Sequence, residues 1–394
     1  MRGTTTALAL AASAAWAVLV AGRRGWWRAD VDDAHAHRLA APPQGWPEVV
    51  AVVPARDEAE TVGRCVASLL AQDYPGPFRV VLVDDRSTDG TADLARAAAR
   101  GDSRLAVVTG GARPPGWTGK LNALRGGLAS AARAPRYWWF ADADVAHAPD
   151  TLRALVARAE SGEGGHVLVS LMARLRCASR AERWLVPAFV HFFAMLYPFR
   201  ASNDPRSRVA AAAGGCALVR ADALAAAGGL AAISGEIIDD CALARLLKPH
   251  GRTWLGLTER SVSLRPYPRL ADLRAMVART AYAQLGHSPA VLAGTVAGLG
   301  LVFLAPPALA LFAHRPLPRA LGAAAWLAMA ATAAPMHRRY GLSPLRGAGL
   351  PGVAALYLAF TLDSAWRHHH GRGGWWKGEA QGLGSGVTEP PRLA

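Results

Sequence analysis

Two kinds of hydrophobic pattern divide the chain. Long uncharged runs near the start and towards the end predict membrane-spanning helices, whereas residues 29–285 alternate short apolar runs with apolar positions at helical spacing. Strands are predicted at 48–54, 78–83, 105–108 and 137–140, and helices at 59–72 and 92–100. Two strand-then-helix units in succession predict an α/β domain with a parallel sheet.

The first apolar run predicts an N-terminal transmembrane helix. Thr4 to Gly22 is 19 residues without a charge, and Arg23, Arg24, Trp26, Trp27 and Arg28 follow at once. Arginines with paired tryptophans are typical of an anchor at the cytoplasmic interface, so the helix is expected to run from outside to inside. The alternative, a cleaved signal peptide, would place its basic cluster before the apolar run.

The C-terminal membrane region is predicted at 288–366. Its uncharged stretches, 288–313, 320–336 and 347–362, fit two or three spans. The basic tail at 367–394 favours the cytoplasm, but three spans that start inside would place it outside.

The central domain contains one further apolar run, WLVPAFVHFFAMLYPF at 184–199. It is either a buried core helix or a helix lying in the membrane interface.

Composition narrows the class of protein. With 52% hydrophobic and 19% charged residues, the chain fits a folded body with membrane segments better than a disordered protein or an all-membrane bundle. The net charge of +15 indicates affinity for an anionic membrane leaflet, because no nucleic-acid-binding motif accompanies it. The four cysteines have no CxxC spacing and are expected to be reduced.

Acidic side chains follow two of the predicted strands. Asp84 and Asp85 end the second strand, and Asp142 and Asp144 follow the fourth. Ligands of open α/β sheets bind at the carboxyl ends of strands, so the first pair is a candidate for nucleoside binding. The second pair is a candidate Mg²⁺ or Mn²⁺ site completed by phosphate oxygens, and both carboxylates would face one side if the strand continued through them.

Two further residues are candidates for phosphate binding and for proton transfer. Lys120, one of only three lysines, lies in a glycine-flanked loop that enters a helix, where its ammonium would contact a phosphate. Asp240 precedes the helical pattern ALARLLKPH, and an aspartate at a helix start stays ionised, as a general base requires.

In order along the chain, six motifs resemble glycosyltransferase family 2, the inverting nucleotide-sugar enzymes with a GT-A fold. They are VVPARDEA, VDDRSTDGT, GWTGKLNAL, FADADV, GGCALVR and IIDDCALARLL. The N-terminal span, the GWTGKLNAL form and the C-terminal hydrophobic region are most similar to the hopanoid-biosynthesis-associated (hopene-associated) membrane glycosyltransferases.

The resemblance implies a role for each matching residue. Ala55, Arg56, Glu58 and Asp85 would hold the nucleoside with Asp84 nearby. Lys120 and Asp142 would lie along the nucleotide-sugar, Asp144 with Asp142 would hold the metal, and Asp240 would be the base. Arg279 would contact the diphosphate, although the QxxRW of processive relatives is absent here.

The implied protein is an inverting, metal-dependent hexosyltransferase of the bacterial inner membrane. It would be a multi-pass protein with its catalytic domain facing the cytoplasm. Its donor would be a nucleotide-diphosphate sugar, with a UDP-sugar favoured, and its acceptor a lipid in hopanoid glycolipid synthesis. The alternatives are a ceramide-, carotenoid- or polyprenyl-phosphate-directed transferase of the same fold, and a non-catalytic membrane scaffold.

Overall fold

The chain divides into two units in a computed structural model that describes residues 2–22, 24–371, 375–376 and 379–380. The sheet unit comprises Val31–Arg176, Phe199–Pro266 and Trp375–Ala394. The helical unit comprises Met1–Asp30, Cys177–Pro198 and Tyr267–Gly374. Arg23 of the predicted anchor and residues 372–374, 377–378 and 381–394 of the predicted tail lie outside the described residues.

The main sheet has eight strands within the described part of the chain. They are β1 Val49–Ala55, β2 Phe78–Asp84, β3 Leu105–Thr109, β4 Tyr137–Ala141, β5 Val145–His147, β6 Leu168–Arg174, β7 Cys216–Arg220 and β8 Thr253–Ser263. Two short strands, β9 Trp375–Trp376 and β10 Glu379–Ala380, pair separately. The helices are α1 Arg2–Gly22, α2 Val62–Leu70, α3 Thr91–Ala99, α4 Gly119–Ser130, α5 Thr151–Ala159, α6 Arg180–Leu196, α7 Phe199–Ser202, α8 Ala221–Ala226, α9 Asp239–Leu247, α10 Leu270–Thr280, α11 Pro289–Leu299, α12 Ala305–Phe312, α13 Pro316–Arg339 and α14 Leu350–His369.

The sheet is mixed rather than parallel throughout. Its order is β3-β2-β1-β4-β7-β6-β8-β5, and the four strands predicted from the sequence, β1 to β4, pair in parallel. β7 is antiparallel to both β4 and β6, and β5 is antiparallel to β8. The prediction of a parallel sheet is therefore confirmed for β1 to β4. It is wrong for β7 and β5, whereas β6 and β8 pair in parallel.

β1 lies inside the sheet and is covered on both faces. All seven of its residues are buried; Val53 belongs to a core cluster with residues of α2, and Val52 to one with residues of α4. Gly127 of α4 makes the second contact close, since a Cβ there would lie 2.3 Å from Val52 Cγ1. Helices on both faces account for the continuous apolar reading of β1, which lacks the alternation of a half-exposed strand.

The segment before β1 is held against β8. Leu257 N donates to Val31 O at 2.9 Å, and Asp33 N donates to Leu257 O at 3.1 Å. The buried Asp33 carboxylate accepts from Thr258 Oγ1 at 2.8 Å and pairs with Arg260 at 3.2 Å. Residues 31–33 thus complete the edge of the sheet unit.

The helical unit is built on long apolar helices. Trp16 of α1 donates to Val302 O at 2.7 Å and meets the Phe303 ring edge-on at 5.7 Å. Among the described residues, three helical stretches are long and apolar enough to cross a membrane, by length and composition: Thr4–Gly22, Pro289–Phe312 and Pro344–His369.

The apolar run predicted at 184–199 forms most of α6, which starts earlier, at Arg180. Ser179 caps the helix, since its hydroxyl accepts from Glu182 N at 3.0 Å. The helix buries several residues but leaves Trp184 and Leu196 exposed by 41% and 51%.

Candidate active site

Parallel pairing brings the loops that follow β1, β2 and β4 to the same end of the sheet, where the carboxyl ends of these strands lie. Ala55 lies opposite Asp84 in the β1–β2 register, and Asp85 N donates to Ala55 O at 2.8 Å. β4 pairs with β1 on the other side, so the loop that carries Asp142 starts at the same edge. The acidic pairs that follow β2 and β4 therefore lie close to the residues that follow β1.

Asp85 presents a buried carboxylate at this edge. Its side chain is 2% exposed, and Arg56 Nη1 lies 3.4 Å from Oδ2. Oδ1 has no hydrogen-bond partner among the described residues, and Arg86 Nε lies 3.6 Å from it. A buried carboxylate oxygen without a donor is unusual, so this atom is suited to accept a hydrogen bond from a ligand.

The rest of the VDDRSTDGT motif joins two loops. Asp57 N donates to Ser87 Oγ at 2.9 Å, Glu58 N donates to Thr91 Oγ1 at 2.8 Å, and Asp89 Oδ2 accepts from Ala59 N at 2.9 Å. Asp84 Oδ1 accepts from Ser87 N at 3.4 Å within its own turn. These side chains hold the β1 and β2 loops together, whereas Asp85 is left to face a ligand.

The two aspartates after β4 do not continue the strand. β4 ends at Ala141, and Val145 N donates to Asp142 O at 3.1 Å across a turn. The carboxylates are partly exposed and bind different cations: Asp142 Oδ1 is 2.9 Å from Lys120 Nζ, and Asp144 Oδ2 is 2.7 Å from Arg265 Nε. The two carboxylates would face one side only if β4 continued through them, and it does not. Both nevertheless follow the carboxyl end of β4, as predicted.

Lys120 connects two acidic segments. The hydroxyl of Thr118 caps α4 by accepting from Leu121 N, and this cap fixes the helix start that carries the lysine. The ammonium lies 2.9 Å from Asp142 Oδ1 and 3.1 Å from Asp239 Oδ2. Burial alone would lower the pKa of Lys120, but the two carboxylates outweigh it and raise the pKa above its ordinary value. Lys120 is therefore a permanent cation between the two acidic segments.

Asp240 lies at the start of α9 in a cleft that Lys120, Asp142, Asp239 and Gly214 also line. Its Oδ2 accepts from Gly214 N at 3.0 Å and its Oδ1 from Cys241 N at 2.7 Å. Burial and then the neighbouring Asp239 carboxylate raise the pKa of Asp240 to about 6, against the opposing effect of Lys120 and the two amides. The group is ionised at neutral pH and basic enough to accept a proton.

Glu58 and Arg279 have surroundings that the sequence did not predict, and their proposed ligand contacts stay predictions. Glu58, predicted beside the nucleoside, accepts both of its short bonds from Arg265 Nη2, at 2.6 and 2.7 Å. Arg279, predicted at the diphosphate, lies exposed in α10 of the helical unit, whereas the other candidate residues belong to the sheet unit.

Arg265 is the site residue that sequence reasoning missed. It follows β8 and binds Asp144 and Glu58 together. The only sequence signal is an arginine two residues after a strand, and β8 itself was not predicted. Gly214 was also noticed only as part of a motif, although its amide holds Asp240.

The donor set fits a hard divalent cation. Asp142 and Asp144 offer partly exposed carboxylate oxygens, which Mg²⁺ and Mn²⁺ prefer together with phosphate oxygens. Within the described part of the chain, no group of three His, Cys, Asp or Glu side chains is arranged to hold a metal. The protein thus offers two carboxylates, and a ligand would complete the coordination.

Part of the region that carries these residues is similar to known proteins. Residues 50–228 match the family model described as Glycosyl transferase family 2. An N-acetylglucosaminyltransferase of Mesorhizobium japonicum is 29% identical over 189 residues, which are 46% of this chain and 42% of the relative. The Succinoglycan biosynthesis protein ExoU of Rhizobium meliloti is 46% identical over 61 residues, 16% of this chain and 17% of that protein. The matched regions thus span less than half the length of either curated relative.

A solved structure extends the likeness in fold. The mannosyltransferase PcManGT from Pyrobaculum calidifontis, in complex with GDP-Man and Mn²⁺, superposes with a TM-score of 0.56 at 22% identity, over 92% of this chain and 99% of that one. At this identity the likeness concerns the fold, which is GT-A-like with a mixed sheet. Residues 50–228, just under half of the chain, are thus similar to glycosyl transferase family 2, and the sheet unit has a GT-A-like fold.

Proposed function

We propose that the protein is an inverting glycosyltransferase that moves a sugar from a nucleoside-diphosphate sugar to a lipid hydroxyl. The observation that carries the proposal is the cleft in which Lys120 bridges Asp142 and Asp239 beside the basic carboxylate of Asp240. It places a fixed cation for a leaving phosphate next to a group able to accept a proton.

The donor is proposed to bind along the edge of the sheet. Asp85, with its unpartnered Oδ1, accepts from the imide N–H of a base such as uracil, and Arg56 holds the other carboxylate oxygen in place. Lys120 faces the diphosphate. Asp142 and Asp144 hold the divalent cation, which neutralises charge on the leaving diphosphate when bound. The known relatives include a mannosyltransferase solved with GDP-Man and Mn²⁺, which supports this class of donor.

Transfer is proposed to be a single displacement. Asp240 accepts the proton of the acceptor hydroxyl while the acceptor oxygen forms a bond to the anomeric carbon and the bond from that carbon to the diphosphate breaks. Gly214 N donates to Oδ2 and Cys241 N donates to Oδ1, so the two amides fix the orientation of the carboxylate. Attack opposite the departing group inverts the configuration.

A lipid acceptor is favoured by the helical unit. Three helices have the length and composition of membrane spans, and α6 exposes Trp184 and Leu196. A hopanoid or hopanoid-linked polyol is the proposed acceptor, with the protein in the bacterial inner membrane and the sheet unit facing the cytoplasm. Ceramide, carotenoid and polyprenyl-phosphate acceptors fit the same features.

A second candidate is transfer of N-acetylglucosamine to a saccharide. It is favoured by the names of the curated relatives, an N-acetylglucosaminyltransferase and a succinoglycan biosynthesis protein. Mass spectrometry of lipid and saccharide fractions after incubation with isotopically marked sugar nucleotides separates the two, since a label found only in saccharide excludes the lipid acceptor.

The role of Asp240 is tested by Asp240→Asn. The amide keeps the size of the side chain but cannot act as a base, so the variant is expected to bind UDP normally and to lose at least about 100-fold in turnover. Turnover near that of the unaltered protein contradicts the assignment. If the unaltered protein itself transfers no sugar, the non-catalytic scaffold is favoured instead.

A further inference from the structure

Arg265 joins two carboxylates at the proposed metal end of the site. Its Nε donates to Asp144 Oδ2 at 2.7 Å, and Nη2 donates to Glu58 Oε1 and Oε2 at 2.6 and 2.7 Å. Charge-assisted bonds of this length from one planar fork are strong and directional. The guanidinium thus occupies one of the two carboxylate oxygens that Asp144 could offer to a divalent cation.

The backbone beside Arg265 is fixed, whereas its side chain reaches solvent. Leu264 N donates to Asp144 O at 2.7 Å, and Ser263 pairs with Val145 in the β5–β8 ladder. The side chain is 31% exposed. A rotation about its side-chain bonds therefore releases Asp144 without breaking the strand pairing.

Arg260, which lies within β8, gives a comparison with an arginine whose ion pairs are structural. Arg260 is 16% exposed and binds the Asp33 carboxylate, the Asp33 carbonyl oxygen and Asp150. These contacts join the segment before β1 and Asp150 to β8. Arg265 instead binds two carboxylates of the candidate site.

We propose that Arg265 is an internal counter-cation that competes with the divalent cation for Asp144 and moves to the diphosphate when the donor binds. The inference rests on the proposed function, because it requires Asp144 to be a metal ligand. Two cations on one carboxylate oxygen would repel at about 4 Å, so metal alone binds at the expense of the Arg265 pair. A diphosphate supplies new negative charge for the displaced guanidinium.

Metal and nucleotide therefore strengthen each other's binding. Coupling of this kind is reciprocal, so UDP raises the affinity for metal by the same factor as metal raises the affinity for UDP. Metal binds weakly without nucleotide, so Arg265 stays paired with Asp144 and Glu58 and neutralises them between turnovers.

The test measures Mn²⁺ binding by the electron paramagnetic resonance signal of free Mn²⁺, with the full chain in detergent, with and without UDP. Arg265→Gln is expected to bind Mn²⁺ alone about tenfold more tightly and, at saturating Mn²⁺, to bind UDP about tenfold more weakly. Arg265→Lys keeps the charge and is expected to stay within about threefold of the unaltered protein for Mn²⁺ alone.

Arg79→Gln is the matched control, since it removes one positive charge of the sheet unit at the start of β2, where Arg79 pairs with Glu48. It is expected to leave Mn²⁺ affinity unchanged. A merely structural role for Arg265 would weaken Mn²⁺ and UDP binding together, and that result overturns the proposal, as does an unchanged Mn²⁺ affinity in Arg265→Gln.

Asp144→Asn distinguishes failure of this inference from failure of the proposed function. If Asp144→Asn weakens Mn²⁺ binding while Arg265→Gln does not change it, only the competition is wrong. If Asp144→Asn leaves Mn²⁺ binding with UDP unchanged, the proposed metal site is wrong and the inference falls with it.

Discussion

Gly214 is predicted to be required by the space between Lys120 and Asp240. A Cβ at this position would lie 2.9 Å from Lys120 Nζ and 3.5 Å from Asp240 Cβ. Gly214→Ala keeps the backbone N–H that holds Asp240, but it pushes the end of the flexible lysine side chain away. The backbone need not move, so the protein is expected to fold normally.

The size of the effect follows from the lysine contacts. Retreat of Nζ from about 3.0 to about 3.6 Å weakens its attraction to each neighbouring carboxylate by about 1 kcal/mol at an effective dielectric constant of about 20. Asp142 and Asp239 are both affected, so kcat is expected to fall about fivefold to thirtyfold. Because Lys120 opposes the rise in the pKa of Asp240, the acidic limb of the pH profile is expected to move to higher pH.

The assay follows nucleoside-diphosphate release across a pH series, with thermal unfolding as a check on folding. Gly111→Ala is the matched control, because a Cβ at Gly111 meets no atom within 4 Å. If Gly214→Ala keeps full kcat and an unshifted pH profile, the ammonium position does not matter to turnover and the reasoning is refuted.

Three other measurements address the base, the nucleoside and the fold. The pKa of Asp240 is raised to about 6 and only its ionised form accepts a proton, so kcat/KM is expected to fall as pH drops through about 6; a limb below pH 5 would contradict its role as base. Asp85→Ala removes the unpartnered acceptor and is expected to weaken UDP binding about tenfold, by isothermal titration calorimetry, with little change in Mn²⁺ affinity; equal loss of both would point to local misfolding. Asp33→Ala removes one of the two carboxylates that bind Arg260 and leaves Asp150 and the carbonyl oxygen of residue 33; it is expected to cost about 2 kcal/mol, seen as a lower unfolding temperature, whereas an unchanged temperature would show that the pair is dispensable.

The first half of the sheet could be predicted because its signals are local. β1 is buried along its whole length and reads as an unbroken apolar run, and the helices that follow β1 and β2 keep helical spacing. β6 and β8 were missed because their partners are distant in sequence. Parallel pairing of β6 with β8, and the antiparallel place of β7, depend on the packing of the whole sheet, which no short window of sequence contains.

The same distinction applies to the site. Asp85, Asp142 and Asp240 follow recognisable strand and helix signals. Asp85 and Asp142 follow the carboxyl ends of parallel strands, and Asp142 and Asp240 line one cleft. The partner of each carboxylate was not predictable, because Lys120 reaches Asp239 and Arg265 reaches Glu58 across long stretches of sequence. The sequence could not show that an arginine beyond β8 returns to Glu58, and the nucleoside contact implied for Glu58 stays a prediction.

The path of the chain through the sheet unit limits how the main sheet can be produced without the helical unit. Val31 and Asp33 are bonded to β8, so a chain cut just before β1 loses part of the sheet edge and leaves Arg260 short of a partner. Removing the ends alone also does not free the unit, since Cys177–Pro198 belongs to the helical unit. A shortened protein must begin at or before Val31, end after Pro266 and replace the interruption with a linker between Arg176 and Phe199.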